Sequence, residues 1–197
     1  MKCKVVVGIF LLFSLVSGID VHAQGKGPMD PMSEGSWLIN LGVGPGIHYF
    51  TGYRAGFGPG FQASFEKGMW QLGPGVLTLG AELGFSYFWY KYYFVGNYGY
   101  QYTWLSIIPA ARCAYHYGWK VNGLDTYGGV STGMRFTMFN DTYYDNYRKT
   151  GYNPALIGFM FGTFVGASYF FTNSFGVNGE FGYNVNWAQI GVVFKVN

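Results

Sequence analysis

The chain has 197 residues, half of them hydrophobic and 22% aromatic, with only 11% charged and a formal net charge of +3. So much apolar matter with so little charge excludes a disordered chain, and a charge this small and scattered excludes a nucleic-acid-binding surface. Its 32 glycines and 18 tyrosines are more than a globular enzyme of this size uses.

The first element is a leader. Lys2 and Lys4 precede an apolar run from Val5 to Val16, and Val21-His22-Ala23 makes a small-residue cleavage site. Residues 1–23 therefore read as a secretory signal peptide cut near Ala23. Removing Lys2, Lys4 and Asp20 with it leaves a net charge of +2. Cys113 becomes the only cysteine, which excludes an internal disulfide and a metal site built on paired cysteines. Residues 24–34 (QGKGPMDPMSE) read as a short flexible lead, and 35–197 as one domain. Beyond the leader no apolar stretch reaches about 18 residues, so a helical membrane protein is excluded.

The domain alternates with period two. Trp37, Ile39, Leu41 and Val43 share one face, against Asn40, Gly42 and Gly44. Phe61, Ala63 and Phe65 oppose Gln62, Ser64 and Glu66; Leu77 through Trp89 alternates with Thr78, Gly80, Glu82, Gly84 and Ser86. Leu105, Ile107, Ala111 and Cys113 are offset from Ser106, Ala110, Arg112 and His116. Val130, Met134 and Phe136 oppose Ser131, Gly133 and Arg135. Ile157, Phe159, Phe161 and Val165 oppose Gly158, Gly162, Gly166 and Ser168. The stretches 175–183 and 188–196 repeat the pattern, with Glu180, Gln189 and Lys195 on the polar side. Period two over segments of about ten residues is the strand signal, and eight segments carry it.

The connections alternate in length. Lys67–Pro74, Lys120–Gly123 with its Asn122-Gly123 pair, and Thr172–Ser174 read as tight turns. The stretches 47–58, 90–100 and 139–153 read as longer loops at the other end, where only the connection near Asn184–Trp187 is short. This describes an all-β, up-and-down antiparallel meander.

The polar face is mostly Gly, Ser, Thr and Asn, too small and too neutral for a solvated exterior. The apolar face carries Leu, Val and Phe, with Trp37, Tyr87, Trp89, Tyr169, Tyr183 and Trp187 gathered at strand ends as an aromatic girdle. That is the outward band of an eight-stranded transmembrane β-barrel, the one kind of sheet that leaves no unpaired backbone edge in lipid. Its lumen then holds Glu66, Glu82 and Glu180 against Arg112, Arg135 and Lys195, with His116 near them. Eight strands enclose a space that side chains just fill, and an unpaired charge there costs about 3–5 kcal/mol. The equal count therefore predicts a paired salt-bridge network in a plugged lumen.

The segments ARCAYHYGW and LDTYGGVSTG, within 111–133, and GASYFFTNSFGVNGEFGYN (166–184) resemble small eight-stranded outer-membrane barrels of the OmpA/OmpX type. The likeness is strongest to the PorT-like and "outer membrane protein beta-barrel" families common in Bacteroidetes. It implies a place in the outer membrane of a Gram-negative bacterium, among outer-membrane lipid and lipopolysaccharide. It also implies insertion by the outer-membrane assembly machinery, which reads an amphipathic final strand with terminal aromatics. Phe194 and the alternating 188–196 face fit that signal, while an end on Asn197 departs from the common terminal Phe. The resemblance implies no particular activity.

Catalytic cues are weak. His48, near Thr51 and Tyr53, lacks the Ser/Asp spacing of a lipid-acting barrel. The glycine strings at 42–46 and 56–61 precede strands where a phosphate cradle needs a helix. His116 has no second His in sequence reach and no paired cysteines, so no metal site, cofactor or catalytic residue is assigned. The Tyr-rich stretches remain. Tyr90–Tyr93 fit equally an interfacial belt or a binding surface; Tyr143, Tyr144, Tyr147 and Tyr152 read as an exposed binding surface for an extracellular ligand. The expectation is a monomeric, non-enzymatic surface barrel serving membrane integrity, recognition or adhesion, with a narrow pore as alternative and an outer-membrane lipid-modifying enzyme third.

Overall fold

The computed structural model describes residues 32–46, 58–93, 99–144, 149–152 and 155–196, with backbone alone for 91–93, 141–144 and 149–152. Nine strands form: β1 (Trp37–Pro45), β2 (Pro59–Leu72), β3 (Gly75–Tyr93), β4 (Gly99–Gly118), β5 (Leu124–Tyr144), β6 (Lys149–Tyr152), β7 (Ala155–Phe170), β8 (Phe175–Gly182) and β9 (Ala188–Val196). β6 and β7 both pair with β5, at successive heights, so together they fill one place in the wall. Every other strand pairs antiparallel with its sequence neighbours, and β1 pairs with β9 from Trp37↔Val196 to Val43↔Ile190. The ring is closed: this is an eight-stranded, up-and-down antiparallel β-barrel.

The alternation sorts the two faces. Leu79, Leu83 and Phe85 on β3, Phe159 and Phe161 on β7, and Ile190 on β9 point outward and are exposed. Ser64, Glu66, Thr78, Glu82, Ser86, Arg112, Ser131 and Glu180 point inward and are buried. A greasy exterior around a polar interior inverts a soluble protein and fits lipid. No helix among the described residues is long and apolar enough to cross a membrane. Aromatic side chains gather toward both barrel ends. Trp37, Trp70, Trp119 and Tyr169 stand at the tight-turn end, and Tyr87, Trp89, Tyr183 and Trp187 at the other.

Apolar clusters pack inside the lumen at two levels. At the tight-turn end Met32, Leu38, Val76, Phe170 and Val193 pack together. Toward the opposite end Ile108 and Met160 pack against Val185 from the β8–β9 connection, which dips inward. Gly84 permits that approach, since a Cβ there would overlap the Val185 side chain.

Three expectations change. The stretches read as loops at 90–100 and 139–153 are largely strand: β3 runs to Tyr93, β4 starts at Gly99, and β5 reaches Tyr144. Tyr143 and Tyr144 pair with Thr150 and Lys149, and Tyr152 with Asp141, so these tyrosines stand on a ladder. The reason is that Tyr, Phe and Thr favour the pleated backbone, and their mutual pairing outweighs the scattered Asn and Asp. The turn read at Lys67–Pro74 is shorter, because β2 continues to Leu72 past a bulge between Gly68 and Trp70. A bulge adds a residue and breaks the period, which ends the strand signal early. Finally, residues 32–34, read as part of a flexible lead, are anchored. Met32 is buried, Ser36 donates to the Ser33 carbonyl at 2.7 Å, and Gly35 N–H reaches Gly68 O at 2.9 Å.

Candidate functional site

Two features of the barrel hold chemistry-bearing side chains: a charge cluster at mid-lumen and an aromatic face above the mouth.

The cluster is built by strand alternation, which aims Glu66 of β2, Glu82 of β3, Arg112 of β4 and Glu180 of β8 at the axis. Arg112 is 2% exposed, and three carboxylates converge on it. Its Nε donates to Glu66 Oε1 at 2.7 Å, Nη1 to Glu82 Oε2 at 3.1 Å, and Nη2 to Glu180 Oε2 at 2.5 Å. The planar guanidinium carries five donors in a fixed fork, which suits it to several acids at once where a lysine would not. Its face lies over the Phe164 ring, 3.5 Å from the centroid. Glu66 also accepts from Thr78 at 2.7 Å and stands 3.4 Å from His116 Nε2. His116 Nδ1 meets Asp125 Oδ2 at 2.7 Å, and its ring stacks on Tyr127 at 5.0 Å.

Amides complete the shell. Gln62 Nε2 lies between Glu82 and Glu180, and Gln189 Nε2 donates to Glu180 at 3.1 Å. Asn40 donates to Ser64 at 3.1 Å, bringing in β1. Side chains from all eight places in the wall thus take part.

The sequence-predicted lumen residues are all buried, yet the pairing is not one acid to one base. Glu66, Glu82, Glu180 and Arg112 form the centre, with His116 joined through Glu66. Arg135 lies nearer the outer end, donating from Nη2 to the Asn184 carbonyl at 3.2 Å, and Lys195 lies on β9 with its side chain buried. Asp125, Tyr127 and Gln62 were missed. Asp125 had a readable signal: it shares the parity of Tyr127 and Ser131 on one strand. Of the girdle residues, Tyr87 and Trp89 pair at 5.7 Å, Tyr183 and Trp187 at 5.0 Å, and Tyr169 meets Phe171 at 5.5 Å. Trp37 stacks on Phe65 at 4.5 Å, with the Lys67 ammonium 4.9 Å above it. His48 and Tyr147 lie outside the described residues, as do residues 1–31 with the cleavage site; Tyr143, Tyr144 and Tyr152 are described by backbone only.

The second feature arises because β3, β4 and β5 outrun the strands that flank them, with 19, 20 and 21 residues against 14 in β2 and 16 in β7. The extra length stands above the barrel as a sheet. Tyr102 sits at its centre, ringed by Tyr90 at 6.5 Å, Tyr100 at 6.0 Å, Trp104 at 5.9 Å and Phe139 at 6.0 Å. Below it, apolar clusters stand in the lumen on either side of Arg112. His116 is held on both ring nitrogens by carboxylates, Asp125 and Glu66, which makes it a member of the ion-pair cluster and not the base of a nucleophile pair.

Solved structures with a similar backbone include Ail, the attachment invasion locus protein of Yersinia pestis, in complex with the heparin analogue sucrose octasulfate. It is 12% identical, with a TM-score of 0.48, over 83% of this chain and 100% of that one. The N-terminal β-barrel domain of Pseudomonas aeruginosa OprF is 19% identical, with a TM-score of 0.43, over 83% and 98%. Neisserial surface protein A is 13% identical, with a TM-score of 0.37, over 83% and 97%. No family model matches the chain, and no curated protein matches it.

Proposed function

We propose that this chain is an integral outer-membrane protein with a sealed lumen, and that its activity is recognition or adhesion at the cell surface. The observation that carries this reading is the filling of the interior. A buried Arg112 tied to three glutamates crosses the lumen, with an apolar cluster on either side of it. A path for solute would have to break charge-assisted hydrogen bonds in a water-poor space, at several kcal/mol. The barrel acts without catalysis, as a single copy. Its outward band meets outer-membrane lipid and lipopolysaccharide, its aromatic ends lie in the two interfaces, and β9 offers the assembly machinery its alternating face. The likeness to OmpA/OmpX-type and PorT-like barrels in 111–133 and 166–184 supports the same placement.

Planar-bilayer recording tests it. The purified barrel is expected to give no steady single-channel steps. Steady steps would replace recognition by transport.

A further inference from the structure

The sheet that rises above the mouth reverses the polarity of its two faces. Within the barrel, outward positions are apolar: Trp89, Ile107, Phe136 and Met138 are exposed. Level with Trp89 the outward positions are already Thr103 and Asn140, with Gln101 above them. The inward positions, which share the parity of buried Ser106 and Ile108 on β4, run from Trp104 and Phe139, one step below Trp89, through Tyr90 and Tyr102 to Tyr100. The period is unbroken; only the assignment changes. The outward Thr103, Asn140 and Gln101 favour water over lipid, and the aromatics point to the inner face, so they do not serve a lipid interface. They are half-buried and lie on the same face as the lumen residues.

Their arrangement suits one chemistry. Tyr102 lies within 11° of the Tyr100 plane, 16° of Phe139, 20° of Tyr90 and 27° of Trp104. Tyr102 is thus nearly parallel to each of its four neighbours, while Trp104 and Phe139 tilt by 42° to each other, and all five stand on paired strands. None of these five side chains carries a charge. Tyrosine and tryptophan present an apolar body with a polar tip. We propose that this face binds an uncharged glycan chain arriving from outside the cell. The C–H face of each sugar packs on a ring, and tyrosine hydroxyls meet the sugar hydroxyls. The cell's own lipopolysaccharide sugars would stand against the polar outer face, and an extended peptide would favour a strand edge over an aromatic face. The inference rests on the sealed-barrel reading, because it places the ligand above a closed mouth.

The test uses the full barrel in phospholipid nanodiscs free of lipopolysaccharide, titrated with soluble laminarin and dextran as neutral glucans, heparin as polyanion, and gelatin as extended peptide. At least one neutral glucan is expected to bind with an affinity insensitive to added salt. Tyr102→Ala should weaken it about tenfold, the equivalent of about 1.4 kcal/mol, while Trp89→Ala on the opposite face leaves it unchanged. Gel mobility before and after boiling verifies that each variant is folded. Should Tyr102→Ala not fold, Trp104→Phe serves instead: it is expected to abolish most of the glucan-induced change in tryptophan emission. Absence of glucan binding, wild-type affinity in Tyr102→Ala, an unaltered emission change in Trp104→Phe, or binding of heparin or gelatin alone would overturn the proposal. Gelatin or heparin binding without conductance would leave surface recognition standing and remove the glycan; steady conductance would remove the sealed barrel instead.

Discussion

Arg112 has no substitute in the lumen. Its three carboxylate partners lie on β2, β3 and β8, and removing the guanidinium leaves Glu66, Glu82 and Glu180 facing one another in a space that admits little water. Removing one acid is different, since Arg112 keeps the other two. Arg112→Met is therefore expected to destabilise the barrel by about 3–5 kcal/mol, and Glu82→Gln by about 1.5–3 kcal/mol, the worth of a hydrogen bond to a charged group. Urea unfolding in phospholipid vesicles, read from the ratio of compact to unfolded gel bands, measures both. Equal losses would mean that the charges pair singly. The inward position of each charge was legible, because parity along a strand decides it. The three-to-one convergence was not, since it depends on how far apart β4 and β8 stand across the closed ring.

At the scale of elements, the tight turns and the projecting sheet have separate roles. Gly123 adopts φ of 79°, a conformation other residues seldom take, at the Asn122-Gly123 turn legible from the sequence. The long β3–β4 hairpin contributes no side chain to the Arg112 cluster above Glu82. Trp89 and Thr103 are cross-strand partners, so replacing residues 90–102 by Asn-Gly closes the hairpin at that level. The shortened protein is expected to keep its heat-modifiable gel mobility while losing glucan binding. Loss of the compact band would show that the projecting sheet holds the barrel together. The length of these strands escaped the sequence because Asn, Asp and Gly are scattered among the tyrosines there. Turn residues and strand formers compete locally, and cross-strand pairing over β3, β4 and β5 decides between them.

For the whole molecule the exterior is the test of its solvent. Leu83 is 54% exposed at mid-barrel, between Ala63 on β2 and Pro109 on β4. In lipid, Leu83→Arg is expected to cost about 2–4 kcal/mol, the range for a cation near the bilayer midplane. In a soluble barrel the same change at an exposed site would cost almost nothing. Urea titration in vesicles distinguishes the two.

By itself the sequence determined the eight places in the wall, the antiparallel order and the two faces, because side-chain direction in a strand follows from parity alone. It also placed Glu66, Glu82, Arg112, His116, Arg135, Glu180 and Lys195 inside. Only the tertiary structure decided which charges meet, that Met32 and Val185 belong to apolar clusters inside the lumen, and that the aromatics around and above the level of Trp89 stand on the inner face of extended strands. These depend on ring closure, which sets distances across the lumen and unequal strand heights, and neither is carried by the period of any one strand.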